Sequence, residues 1–157
     1  MDASEELRYL ILAAQREGNR ILGDLLRPLG LSPSQAEVLR VLADHGPLAL
    51  VDLGARLVCE NGSPSRLVDG LVTGGLVERI PSAEDRRRVR LSLTREGTKK
   101  ARAVQRTEAD LHELIGNALS AKDRVLAKRV LWELVSGLPA GDALALRIKS
   151  RPSAESP

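Results

Sequence analysis

Apolar residues recur along the first part of the chain with the spacing of an α-helix. They fall three or four positions apart, which places them on one side of a helix. The stripe is interrupted near Gly18 and ends before Pro28. Its members are Leu7, Leu10, Ile11, Ala14, Ile21, Leu22, Leu25, Leu26 and Leu29. The pattern therefore predicts one long amphipathic helix at the N-terminus.

Three shorter helices are predicted next, and two of them begin with the same pair of residues. In Ser32-Pro33 and again in Ser63-Pro64, the serine can cap the helix, and the proline suits a first turn that needs no backbone donor. Gln35 completes a capping box at the first of these starts. The predicted helices run from Ser32 to His45, from about Leu50 to Val58, and from Ser63 to the Gly74-Gly75 pair.

After Gly75 the apolar period changes from that of a helix to that of a strand. Leu76–Ile80 and Val89–Leu93 both alternate between apolar and polar residues, which predicts the two strands of a hairpin. Their connection, residues 81–88, is too long for a two-residue turn. It therefore projects its arginines at the tip of a wing.

Helical spacing returns in the C-terminal part. Thr94 is the predicted cap of one long helix, and Ser120 begins another that ends at Pro139. Beyond it lie a weak apolar patch at Leu144 and Leu146 and then residues rich in proline and serine. We expect the last residues of this tail to be disordered.

This order of elements predicts a mainly α fold with a small β-hairpin, organised as a winged helix-turn-helix domain. The single lobe cannot bury the apolar stripes of the helices that flank it. Two copies can do so by interleaving those helices about a two-fold axis, so we expect a homodimer. The predicted units are an N-terminal dimerisation helix (1–31), a DNA-binding lobe (32–97), C-terminal dimerisation helices (98–138) and a partly disordered tail (139–157).

Positive charge is concentrated in one segment. The formal net charge is +3, yet residues 76–102 alone carry nine basic and four acidic side chains. Clustered arginines favour a polyanion, because each guanidinium can bind phosphate oxygens and release counterions. By charge alone the segment is either a contact for a polyanion or a solvated charged loop. Its place on the hairpin of a winged helix indicates double-stranded DNA as the partner. A dimer would place its two reading helices one DNA turn apart and so predicts a pseudo-palindromic site.

Three runs of sequence resemble the MarR (multiple antibiotic resistance regulator) family: Leu67–Leu71, Gly75–Arg79 and Asp85–Gly97. The last run contains the family's wing signature, which is Asp-Arg-Arg, three positions, Leu, one position, Leu-Thr, two positions and Gly. The resemblance implies a homodimeric transcription factor, usually a repressor, that is responsive to a ligand or to oxidation. It suggests a small aromatic or anionic ligand, with a regulator that has no effector as the alternative.

The resemblance also assigns positions to DNA contacts. The start of the fourth helix would face the major groove, and the wing would reach the flanking minor groove. Asp85 would brace one of the wing arginines. The expected DNA-binding residues are Ser63, Pro64, Ser65, Arg66, Arg86, Arg87 and Arg88.

The few reactive residues of the chain disfavour other functions. Cys59 is the single cysteine, so an internal disulfide and a zinc site with two thiolates are both excluded. Its position predicts burial in the core, with a redox-sensing thiol as the alternative. Glu108 and His112 lie four apart on a helix but make an incomplete metal site, so no metal or other cofactor is expected. No nucleophile–base pair and no phosphate-binding glycine loop occurs, which argues against an enzyme.

The acidic N-terminus and the lack of a long apolar run predict a cytoplasmic protein with no membrane partner. A winged-helix module that binds protein rather than DNA is the remaining alternative. The basic hairpin distinguishes the two, because a protein-binding module has no need of it.

Overall fold

The computed structural model of the chain describes residues 2–59, 63–83, 85 and 87–149. Its helices are α1 (Ala3–Leu26), α2 (Pro33–His45), α3 (Leu50–Gly54), α4 (Pro64–Thr73), α5 (Arg95–Ala118), α6 (Ala121–Val135) and α7 (Pro139–Lys149). The strands β1 (Val77–Pro81) and β2 (Val89–Leu93) form an antiparallel hairpin. This architecture confirms the predicted mainly α fold with a small hairpin.

The predicted side-chain caps at Ser32, Thr94 and Ser120 all form. Ser32 Oγ accepts the Gln35 N–H at 3.2 Å, and Gln35 Oε1 accepts the Ser32 N–H at 2.9 Å, which makes a complete capping box. Thr94 caps α5 through the Gly97 N–H, and Ser120 caps α6 in the same way. Each cap satisfies a backbone donor that the first turn of a helix leaves unpaired.

Helix α2 runs through the centre of the lobe. Every residue from Ala36 to Leu42 is buried, including the charged residues Glu37 and Arg40. The helix contacts α1, α3, α4, α5 and β2. The apolar core around it consists of Leu26, Leu31, Ala36, Val38, Leu39, Val41, Leu42, Leu53, Leu57, Val68, Leu71, Val77, Leu91, Ala101 and Val104.

Helix α3 is shorter than predicted. It ends at Gly54 rather than near Val58, and the chain continues in tighter turns. The Arg56 and Leu57 N–H groups donate to carbonyls three residues back rather than four, which breaks the α-helical ladder. The N–H groups of Val58 and Cys59 then donate to the carboxylate of Glu37 on α2, so the helix does not resume there.

The structure differs from the predicted end of α6 and adds a helix in the first part of the tail. Helix α6 ends at Val135, and Pro139 begins α7 instead of ending α6. Gly137 adopts the left-handed conformation in the turn between them. A Cβ at Gly141 would lie 2.0 Å from the Val135 carbonyl oxygen, so only glycine allows α7 to fold back this closely. The last residues of the tail, for which the sequence predicts disorder, fall within 150–157 and lie outside the described residues.

Helices α1, α5 and α6 leave apolar side chains uncovered by their own chain. The exposed residues on them include Leu7, Leu10, Ile11, Leu114, Ile115, Val125, Leu126, Leu131 and Leu134. Several of these line one shallow cavity between α1 and α6. Within the described ranges, no helix has both the length and the apolar character needed to cross a membrane.

Candidate nucleic-acid interface

Helix α4 presents one buried face and one exposed face. Val68 and Leu71 are buried against the core, whereas Ser65, Arg66 and Asp69 are exposed. Ser63 occupies the N-cap position and Pro64 the first turn, as predicted, but the Ser63 side chain makes no capping hydrogen bond to the described residues. Its hydroxyl is therefore not used by its own helix.

The N-termini of α2 and α4 border a shallow, open hollow. Ser32 and Gln35 line it from α2, and Ser63, Arg66 and Gly70 line it from α4. Helix N-termini favour anions, because their free N–H groups and the helix dipole point outward. With Arg66 beside them, this surface is suited to phosphate oxygens or to the acceptor edges of bases.

The hairpin is anchored to the lobe at its base. Val77 pairs with Leu93, and Pro81 pairs with Val89 at the far end. Leu48 adds a short bridge to the open side of β2: the Leu91 N–H donates to the Leu48 carbonyl at 2.7 Å, and the reverse bond measures 3.1 Å. The wing is therefore fixed at its base while its tip extends into solvent.

The wing tip is organised around Asp85. Its Oδ1 accepts the Arg87 N–H at 3.0 Å, and its Oδ2 lies 3.7 Å from Arg88 Nε. The Ser82 N–H donates to the Arg88 carbonyl at 2.8 Å, which closes the loop. The side chains of Arg87 and Arg88 are exposed. Arg86, the third predicted wing arginine, lies outside the described residues.

An ion pair that the sequence analysis missed joins α4 to the wing. Arg79 Nη2 on β1 lies 2.5 Å from Asp69 Oδ1 on the exposed face of α4. Both side chains are about half exposed, so the pair contributes little to stability. It does show that the exposed face of α4 lies beside the first strand of the wing. The only sign of this pair in the sequence was that the two residues carry opposite charges on neighbouring elements.

Cys59 is exposed, which corrects the prediction that it is part of the core. Loss of solvation around the sulfur is the largest cause that raises its pKa to about 11; the charge and hydrogen bond of Glu37 act in the same direction, whereas the charge of Arg147 opposes the shift. The thiol is therefore accessible but protonated at neutral pH. This combination does not favour oxidation, which proceeds through the thiolate.

The predicted pair Glu108 and His112 does not gather ligands for a metal. The Glu108 carboxylate instead accepts Arg40 Nε at 3.1 Å, which ties α5 to the buried centre of α2. Among the described residues, no group of three or more histidine, cysteine, aspartate or glutamate side chains is placed to hold an ion.

Comparison with known proteins agrees with this geometry. A sequence profile described as MarR family matches residues 29–88, which extend from the end of α1 to the wing tip. The multiple antibiotic resistance protein MarR of Salmonella typhimurium is 30% identical over 130 residues, spanning 82% of this chain and 90% of that protein.

Solved structures show the same similarity. A mutant MarR from E. coli, complexed with operator DNA, superimposes with a TM-score of 0.75 at 27% identity, covering 86% of this chain and 99% of that one. The Staphylococcus aureus MepR–DNA complex gives 0.76 at 23% identity, covering 88% and 99%, and supports the fold. Members of this family are transcriptional regulators and not enzymes. The chain belongs to the MarR family of winged-helix, DNA-binding transcriptional regulators.

Proposed function

We propose that the protein is a homodimeric transcriptional repressor that reads a pseudo-palindromic operator with α4 and the wing. The observation that carries this proposal is the Asp69–Arg79 ion pair, which joins the exposed face of α4 to the arginine-bearing wing. Held together in this way, the two elements can enter a major groove and the adjacent minor groove at the same time.

The residues divide by the kind of DNA contact they offer. Ser63, Pro64, Ser65 and Arg66 lie at the start of α4, where a recognition helix meets base edges. Arg87 and Arg88 extend from the wing and suit the backbone or the minor groove, with Arg86 between Asp85 and Arg87 in the sequence. Asp85 braces the tip through Arg88.

The uncovered apolar faces of α1, α5 and α6 support the dimer. A second copy related by a two-fold axis presents the same faces in return, so each face meets a complementary one. Burial of a leucine or isoleucine contributes roughly 1.5–3 kcal/mol, and several such residues exceed the cost of association. The two copies of α4 would then lie about 34–36 Å apart, one turn of DNA.

The proposal includes release of the operator by a small aromatic or anionic ligand. A cavity between α2, α5 and α7 is the proposed binding place. Its lining combines the basic side chains of Arg40, His112 and Arg147 with the carboxylates of Asp44 and Glu108 and the apolar Leu144 and Ile148. A ligand that binds there would contact α2 of the DNA-binding lobe and α5 of the proposed dimer face at the same time. Its binding can therefore be coupled to DNA affinity. Such a regulator acts in the compartment of the chromosome, which is the cytoplasm of a bacterial cell.

Selection of bound duplexes from a random pool tests the proposal. The expected product is a sequence with two-fold symmetry and half-sites one helical turn apart. Binding of Arg66→Ala and Arg87→Ala to that duplex is then measured across a salt series. Arg87→Ala should reduce the slope of log affinity against log salt by about 0.9, whereas Arg66→Ala should also relax base preference by about 1–3 kcal/mol.

Lys122→Ala is the matched control, because it removes an exposed positive charge from α6. Its affinity and salt slope should equal those of the wild type. Asymmetric duplexes, or wild-type behaviour of both arginine variants, would contradict the proposed interface. Failure of the wild type to bind a random duplex at low salt would instead favour the protein-interaction alternative.

A further inference from the structure

The buried carboxylate of Glu37 gathers donors from two distant parts of the chain. Its Oε1 accepts the Val58 N–H at 2.9 Å, and its Oε2 accepts the Cys59 N–H at 2.8 Å. Arg147 Nη1, from α7, lies 2.7 Å from the same Oε1. Glu37 is only 5% exposed. A carboxylate at this depth is costly unless its oxygens are paired, so the three donors together allow its burial.

The first two donors hold the segment that leads into α4. Cys59 lies five residues before Pro64, and its carbonyl also accepts the Ser34 hydroxyl from α2 at 3.4 Å. The Pro64 ring packs against Gly54, where an added Cβ would approach Pro64 Cγ to 3.3 Å. The end of α3 therefore packs directly against the first residue of α4, and α2 holds the chain at Cys59, five positions earlier.

The third donor depends on how α7 docks. The left-handed Gly137 and the tightly packed Gly141 set the direction in which α7 leaves α6. Ala143 is buried as α7 folds back. Because these features fix the helix, the guanidinium of Arg147 reaches Glu37 across 110 positions of sequence.

We propose that Arg147 is a positioning residue for DNA recognition. By pairing with Glu37 it stabilises the ionised carboxylate that holds Val58 and Cys59, so that docking of α7 sets the orientation of α4. This inference rests on the proposed role of α4 as the reading helix. Arg40 separately ties α2 to α5 through Glu108, so loss of Arg147 should loosen the segment before α4 without detaching α2.

Arg147→Met is the decisive variant, because it keeps the length of the side chain and removes its charge. Affinity is measured for a duplex that the wild type selects from a random pool. We expect the variant to bind DNA about tenfold more weakly. The slope of log affinity against log salt should stay unchanged, because loss of a positioning residue removes no phosphate contact. Lys149→Met is the control, because it removes an exposed charge from the same helix and should change affinity less than about twofold.

Hydrogen exchange provides a readout that is independent of DNA. The amides of Val58 and Cys59 should exchange about tenfold faster in Arg147→Met and in Glu37→Gln. Exchange in the double variant should be no faster than in Glu37→Gln alone, because both changes remove the same Glu37–Arg147 interaction. Arg147→Lys should restore much of the wild-type exchange rate and affinity by returning the charge.

Equal affinities of Arg147→Met and Lys149→Met would overturn the inference. A salt slope reduced by about 0.9 would also overturn it, because Arg147 would then contact a phosphate directly. Failure of the proposed function would give a different result from failure of this inference, because Arg66→Ala and Arg87→Ala would then bind DNA like the wild type. The exchange rates of Val58 and Cys59 would still test the link between α7 and α4.

Discussion

At the scale of single residues, one buried carboxylate sets the properties of its neighbours. Glu37 accepts the N–H groups of Val58 and Cys59 beyond the end of α3, and it adds to the loss of solvation that raises the pKa of the adjacent Cys59 thiol. A thiol with a raised pKa stays protonated to higher pH. The contribution of this thiol to the free energy of unfolding is present below the ordinary thiol pKa and is lost as the pH rises through about 11.

The reactivity of Cys59 at neutral pH should accordingly be low. A pKa of about 11 instead of 9.0 reduces the thiolate fraction about 100-fold, and the greater nucleophilicity of the thiolate offsets about tenfold of this. Alkylation by iodoacetamide, followed by mass spectrometry, should thus be about tenfold slower than in a peptide that spans residues 57–61. The rate should still rise above pH 10.

Glu37→Gln should move this rate profile to lower pH, because it removes the negative charge beside the thiol. A plateau in the wild-type rate below pH 8 would contradict the raised pKa and would favour the thiol-sensor alternative. Cys59→Ser under peroxide tests that alternative directly, since a sensor would lose its response.

At the scale of elements, the hairpin and α5 meet through their backbones. The Thr94 N–H donates to the Leu76 carbonyl at 3.1 Å, and the Thr94 hydroxyl donates to the Gly75 carbonyl at 2.7 Å. Gly97 lies directly against this contact: an added Cβ would be 1.8 Å from the Leu76 carbonyl oxygen. The close approach explains why the wing signature requires glycine at this position.

Gly97→Ala should destabilise the protein by about 1–3 kcal/mol, because the backbone of either α5 or β1 must move. Gly70→Ala is the control, since Gly70 lies inside α4 and, its own stretch of helix aside, the described residues leave open space around an added Cβ. That variant should gain up to about 1 kcal/mol from helix propensity. Urea unfolding at one fixed protein concentration measures both, and equal midpoints would contradict the packing argument.

At the scale of the whole molecule, the isolated chain leaves a large apolar surface uncovered. Leu7, Ile11 and Leu134 lie near Leu131 on the facing sides of α1 and α6. A patch of this kind on a small protein marks an interaction surface. Two-fold symmetry means that any change on it enters the interface twice.

Leu131→Glu should therefore dissociate the proposed dimer. Two buried carboxylates replace two leucines, at a cost of roughly 2–3 kcal/mol each, which weakens association at least a thousandfold. Sedimentation equilibrium should show a monomer for this variant. Val51→Glu, a control on the 76% exposed Val51 of α3, should remain dimeric. A monomeric wild type would contradict the proposed interface.

Much of this protein follows from local sequence pattern. The capping box at Ser32, the strands of the hairpin and the arginines of its tip were all predicted, because residue spacing and cap chemistry act within a few positions. The resemblance to the MarR family also rested on a local signature, from Asp85 to Gly97. The start of α4 at Pro64 was predicted for the same reason.

The sequence by itself determined that α1 to α6 and the two strands form, and where positive charge is concentrated. Only the tertiary structure decided that Arg147 meets Glu37, that Asp69 pairs with Arg79, that Cys59 is exposed and that residues 139–149 form a docked helix. These features join positions far apart in the chain. They depend on which surfaces meet once the core has formed, and no local spacing encodes that choice.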